Sequence, residues 1–147
     1  MIRLLALDLD GTLMGDDMVI SPGVKRAVKN ALSRGVTVTL ATGRMLGYTA
    51  RYARELGITA PLITYQGGLI QAADAPSPLY RAVMDEAVAW EFLEWQARTG
   101  LNVALYVGEG VFASGSRDGE ALYRGLLGYP LEWLDDLSVA MSRGQPI

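Results

Sequence analysis

Apolar positions in this chain follow one rhythm up to about residue 65 and another after it. Ile2 to Ala6 is a short, mostly apolar run that predicts a strand buried on both faces. Met14 to Ile20 places a Gly/Asp turn between apolar flanks and predicts a small hairpin, with Asp16 and Asp17 as turn residues or as extra metal ligands. Ser21 and Pro22 read as the N-cap and first position of a helix. Val24, Ala27, Val28, Ala31 and Leu32 then recur at helical spacing, with Gly35 as the stop. Val36 to Ala41 is β-branched and apolar, a second buried strand. Thr42-Gly43-Arg44 follows, then a helix from Met45 to Leu56 ending at Gly57. Pro61 to Tyr65 is a third strand, with Gln66-Gly67-Gly68 as its loop. Strand, helix, strand, helix, strand implies a parallel sheet with right-handed crossovers.

From Leu69 the pattern becomes antiparallel. Leu69 to Gln71 and Leu79 to Val83 flank a Pro/Asp/Ser turn and predict a hairpin. Asp85 to Thr99 reads as a helix stopped by Gly100, with Ala87, Val88, Trp90, Phe92, Leu93, Trp95 and Ala97 as core. Asn102 to Val107 and Val111 to Ser114 form a hairpin around Gly108-Glu109-Gly110. A helix over Asp118 to Leu127 is closed by Gly128 and Pro130, and Ser138 to Met141 allows a further strand. Leu131-Glu132-Trp133-Leu134 is a poor buried strand, and Asp135-Asp136 after it reads as a loop. The second half is therefore α+β and antiparallel, with a boundary near Ala75 to Leu79.

Composition narrows the chemistry. The chain has 147 residues, half of them hydrophobic and 20% charged, so a packed domain, or one and part of another, is expected rather than disorder. A net charge of −3 gives no footprint for nucleic acid. Cysteine and histidine are both absent, which removes disulfides, thiolate or imidazole metal sites, and Cys or His catalysis. A metal would be a hard cation held by oxygen, Mg²⁺ first among them. Neither a signal peptide nor a membrane-length apolar run is visible, so a cytoplasmic location is expected.

The candidate chemistry sits at the end of the first strand, where open α/β sheets bind ligands. Asp8-Leu9-Asp10-Gly11-Thr12-Leu13 follows that strand, and an Asp-Gly turn alone would be an ordinary strand ending. At the end of the second strand, the Thr42 hydroxyl and the Gly43 amide suit a phosphate oxygen or, more simply, a helix cap. Arg44 would touch substrate or complete a surface ion pair.

Together, Asp8-Leu9-Asp10-Gly11-Thr12-Leu13, Ala41-Thr42-Gly43-Arg44 and the loop after Tyr65 resemble the haloacid dehalogenase-like (HAD) superfamily, in its Cof-type branch. The resemblance implies a partial Rossmann-like parallel α/β core over residues 1–75, followed by part of an α+β cap over 76–147. It implies a Mg²⁺-dependent phosphatase acting on a small phosphorylated metabolite, with Asp8 as nucleophile and Asp10 as general acid and base. Asp8 and the Asp10 carbonyl would hold the metal, and Thr42 and Gly43 the phosphoryl oxygens. Where the branch usually has Asn-Gly, this chain has Gln66-Gly67. The post-cap Lys and second acidic motif of the family are not recognisable. Lys25 and Lys29 precede Thr42 on a helix.

Without the strand that carries that acidic motif, Arg3 to Leu9 would be an open sheet edge, open to self-association or to another chain. The alternative is a truncated, non-catalytic remnant that binds phosphate or a partner chain. A response-regulator receiver domain needs an acceptor Asp after the third strand, and Tyr65-Gln66-Gly67 offers none.

Overall fold

The computed structural model describes residues 2–127 and 130–147. They form two compact units, Met1–Arg81 and Ala82–Ile147.

In the first unit, β1 (Leu4–Leu7) pairs in parallel with β2 (Thr37–Leu40), from Leu4 opposite Thr37 to Leu7 opposite Leu40. The connecting helix α1 (Pro22–Ser33) begins with the Val24 N–H donating to the Ser21 hydroxyl at 3.3 Å. Helix α2 (Leu46–Leu56) ends at Gly57, whose left-handed backbone suits glycine. Strand β3 (Leu62–Thr64) continues the parallel order through a bridge from Ala41 to Ile63. Strands β4 (Leu69–Gln71) and β5 (Tyr80–Arg81) then add antiparallel, so the expected hairpin is present. The unit closes after Arg81 rather than within Ala75 to Leu79 or at residue 75, because β5 is bonded to β4. The short hairpin after Leu13 also forms, with Met14 bridging Ile20.

The first strand departs from its expected double burial. Leu4 is 61% exposed and Ile2 73%. Leu5 and Leu7 are partly buried, while Ala6 is exposed. Two successive right-handed crossovers in one direction put α1 and α2 on the same face of the sheet, where Lys25 of α1 pairs with Glu55 of α2 at 2.5 Å. Among the described residues, the outer edge of β1 has no strand beside it within this unit.

The second unit opens on α3 (Glu86–Thr99), capped by Asp85, whose side chain accepts from the Ala87 and Val88 amides. Strands β6 (Val103–Val107) and β7 (Gly110–Ser114) form the expected hairpin, followed by α4 (Arg117–Leu127). The Gly128 stop lies outside the described residues. Strand β8 (Glu132–Trp133) then pairs in parallel with β7, so this sheet is mixed rather than antiparallel. The weakly apolar 131–134 segment becomes a strand because β7 offers it an edge. Ser138 to Met141 lies in a 3-10 helix, Leu137–Arg143, and not in a strand. Asp136 caps that turn by accepting from the Ser138 N–H at 2.9 Å, and its carboxyl is held below the usual value by those Ser138 bonds.

The core here consists of Leu93, Leu105, Val107, Phe112, Leu137 and Ala140. Of the apolar set expected from α3, Leu93 is buried and Phe92 partly so. Val88, Trp90 and Trp95 are exposed by 53%, 43% and 40%. Ala89, Leu93 and Gln96 define the single inward stripe, and a helix packed on one side can bury only one such stripe.

The packing sets a contrast between two residues of α3. Leu93→Ala should destabilise the second unit by about 2–5 kcal/mol in urea unfolding, whereas Trp95→Ser should cost under about 1 kcal/mol. Equal losses would mean that the aromatic side of α3 is packed after all.

Candidate active site

The β1–β2 register carries Asp8 to the side of Ala41, and the Ala41 N–H donates to the Leu7 carbonyl at 2.8 Å. Asp8 and Asp10 are both exposed, while Leu9 between them is fully buried. Alternation along an extended chain thus anchors the segment through Leu9 and turns both carboxylates outward. Beyond Asp10 the chain folds back, the Thr12, Leu13 and Met14 amides all converging on the Leu9 carbonyl at 3.0–3.3 Å. Gly11, at φ +70, supplies the left-handed residue this turn requires.

The loop from Thr42 to Arg44 is buried and tied down on both sides. Thr42 N–H donates to Ile63 O at 2.9 Å, Tyr65 N–H to Arg44 O at 3.1 Å, and Gln66 N–H to Thr42 O at 3.3 Å. The Thr42 hydroxyl accepts from the Arg44 amide at 3.3 Å, leaving its proton available to an anion. This local turn is its cap role. Helix α2 itself starts later, after Met45, which makes no side-chain cap bond.

Gly43 has a close side-chain neighbour. A Cβ there would run into the Gln66 side-chain amide, with Cδ at 2.9 Å. Tyr65 and Gln66 both adopt positive φ, +52° and +55°, ahead of Gly67 at +96°. Left-handed residues without glycine's freedom cost about 1–3 kcal/mol each and persist where surrounding bonds hold them. Here those bonds are the two from Tyr65 and Gln66 to the Thr42–Arg44 loop. The sequence marks a loop at Gln66-Gly67-Gly68 but gives no sign of the left-handed backbone at Tyr65 and Gln66, because neither residue is Gly or Asn.

Arg44 is placed differently from a free substrate contact. Its guanidinium grips Asp10 with both arms, Nε to Oδ2 at 2.7 Å and Nη2 to Oδ1 at 2.6 Å. The Arg44 side chain is buried and the Asp10 carboxyl half exposed. The bidentate bond to Arg44 holds the Asp10 carboxyl below its usual range against the opposing effect of burial, and Asp10 in turn raises the Arg44 guanidinium. Arg44 Cζ also lies 4.5 Å from the Tyr48 ring centroid, and Nη2 is 3.4 Å from the Met18 sulfur. Burial, ahead of its bond with Tyr52, raises the Tyr48 phenol. Asp16 and Asp17 stay in the hairpin turn, where Asp17 Oδ1 accepts from the Val19 amide at 3.1 Å. The late pair Asp135-Asp136 lies in the second unit as a bend, as expected of a loop.

The donors suit a hard divalent cation, because Asp8 offers a carboxylate and Asp10 a backbone carbonyl while its own carboxylate faces Arg44. Among the described residues no group of three or more Asp, Glu, His or Cys side chains comes together, so the protein ligand set is sparse. Mg²⁺ commonly keeps several waters and takes one or two carboxylates.

At the ligand-binding end of this parallel sheet, the turn that carries Asp8 and Asp10 is bonded to the Thr42–Arg44 loop through Asp10 and Arg44. The chain belongs to the haloacid dehalogenase-like hydrolase family, whose sequence model matches residues 5–125. A Streptococcus pyogenes protein whose assigned name proposes a phosphatase is 32% identical over 124 residues, covering 81% of this chain and 45% of that protein. A Bacillus subtilis 5-amino-6-(5-phospho-D-ribitylamino)uracil phosphatase is 39% identical over 69 residues, covering 47% of this chain and 28% of the enzyme. The solved HAD phosphatase BT1666 of Bacteroides thetaiotaomicron shares the fold at a TM-score of 0.81 and 22% identity, over 99% of this chain and 54% of its own. The chain thus spans about half the length of these relatives or less.

Two outcomes follow from the geometry. Gly43→Ala should displace the Gln66 amide, a movable side-chain end, and shift its NH₂ resonances, while stability falls by no more than about 2 kcal/mol. In Arg44→Gln, the Asp10 carboxyl should titrate at a higher pH than in the unmodified chain, read by NMR. In the unmodified chain the folded Asp10 titrates below its ordinary value of 3.8. The pair's stabilisation is therefore present above that value and lost as pH falls through the lowered one, a window absent from Arg44→Gln.

Proposed function

We propose that the chain is the N-terminal portion of a Cof-type phosphomonoesterase, with the unit up to Arg81 as part of its core and the unit from Ala82 as part of a cap. The observation that carries this reading is the bidentate Asp10–Arg44 bond, which ties the turn after β1, with Asp8 and Asp10, to the loop after β2, with Thr42 and Gly43. The family membership and the phosphatase names among its relatives support it. The substrate class is a small phosphorylated metabolite. Beyond substrate, the open edge of β1 suits a second copy or another chain as partner, and a cytoplasmic location fits a metabolic enzyme.

Asp8 attacks phosphorus, the bond to the leaving oxygen breaks, and Asp10 supplies the proton that oxygen takes up. Asp10 then removes a proton from water, which attacks the aspartyl-phosphate and releases inorganic phosphate and free Asp8. The Thr42 hydroxyl and Gly43 amide hold the phosphoryl oxygens. Bound Mg²⁺ supplies positive charge that offsets repulsion between the carboxylate and the phosphate dianion. Arg44 fixes the rotamer of Asp10 and keeps it ionised at rest, the state needed for the water step. An arriving dianion offsets the guanidinium charge and makes it easier for Asp10 to hold a proton for the leaving group.

Hydrolysis of p-nitrophenyl phosphate by the chain should require Mg²⁺, cease with EDTA, and fall by at least about 10³-fold in Asp8→Asn. Phosphate binding without any turnover in the unmodified chain would favour the remnant reading instead.

A further inference from the structure

We infer that Arg51 and Tyr48 form a second anion-binding position beside the phosphate cradle, for a carboxylate or phosphate carried at the far end of the same substrate. This rests on the phosphomonoester reading of the cradle. Arg44, Tyr48, Arg51 and Tyr52 are spaced i, i+4, i+7 and i+8, so they form one stripe leading along α2 from the reacting carboxylates. Contacts confirm the stripe. Arg51 Cζ lies 3.9 Å from the centroid of the same Tyr48 ring that Arg44 approaches, and 4.5 Å from the Tyr52 ring. Arg51 Nη2 donates to the Tyr52 hydroxyl at 2.6 Å, and that hydroxyl donates to the Met18 carbonyl at 3.3 Å.

Charge accounting singles out Arg51. Arg44 is neutralised by Asp10, and Arg54, one turn on, pairs with Asp74 at 2.7 Å. Arg51 is exposed and has no carboxylate partner among the described residues. An unpaired surface arginine ordinarily samples many rotamers. This one is stacked on two rings and bonded to a phenol, which orients it before any ligand arrives. A guanidinium has five N–H donors, and the Tyr52 hydroxyl takes a bond from Nη2. The remaining donors suit the oxygens of a carboxylate or phosphate. From the Asp10 carboxylate to Arg51 the path is one guanidinium and one ring. An ester phosphate at Thr42 and Gly43 and an acid group a few carbons away therefore match the layout, while a neutral polyol leaves Arg51 unused.

The test compares 3-phosphoglycerate with glycerol 3-phosphate, which differ by the carboxylate, using inorganic phosphate as reference. Binding is measured by calorimetry in the Asp8→Asn chain, which does not turn the probes over. The carboxylate should tighten binding about tenfold, in the range of a charge-assisted hydrogen bond. Adding Arg51→Gln should bring 3-phosphoglycerate to the affinity of glycerol 3-phosphate. Arg51→Lys and Tyr48→Leu should each recover only part of the preference, with circular dichroism confirming the fold. If phosphate binds but the unmodified position gives no preference, or the preference survives Arg51→Gln, the second position is overturned. If inorganic phosphate itself does not bind, the cradle reading fails and this proposal falls with it.

Discussion

The bidentate bond between Arg44 and Asp10 joins two segments through their side chains, beside the backbone pairing of β1 and β2. Asp10 belongs to the turn after β1, and Arg44 to the loop after β2. A carboxylate gripped on both oxygens has its orientation set, and a guanidinium so engaged leaves little freedom to the backbone on either side. With Asp10 half exposed, its contribution to stability is modest. Its contribution to geometry is larger, because the hairpin from Met14 to Ile20 meets the same arginine through the Met18 sulfur and the same helix through Tyr52. Hairpin, first-strand turn and second-strand loop thereby share one fixed point.

Around that point the backbone does what the side chains cannot. The Thr42–Arg44 loop is bonded to Ile63, Tyr65 and Gln66, so the third strand's end serves as its floor. That floor exists only because two non-glycine residues accept left-handed conformations. The strain sits beside the loop proposed to hold phosphate, and such outliers cluster at functional sites.

The D-x-D-G-T-L string and the Thr-Gly-Arg triplet stood out in the sequence through their resemblance to a family, and the five strand and helix segments before Tyr65 followed from apolar spacing and caps. What escaped was decided by tertiary context. Arg44 is long enough to reach substrate, solvent or Asp10, and spacing cannot choose among them. Gly67-Gly68 announces a loop there, but the left-handed backbone of Tyr65 and Gln66 leaves no compositional trace. An apolar run such as Leu4 to Leu7 tells that a strand forms but not whether both its faces are covered. In α3 apolar residues surround much of the helix, so periodicity could not single out the Ala89, Leu93 and Gln96 stripe. The 131–134 strand needed knowledge of β7's free edge.

Gln66 also places two selective pressures in opposition. Glycine at that position would relax the backbone, since it adopts positive φ without penalty. It would also remove the amide that lies over Gly43 and open the packed floor of the loop. A glycine at position 66 would therefore exchange relief of backbone strain for the loss of that packing.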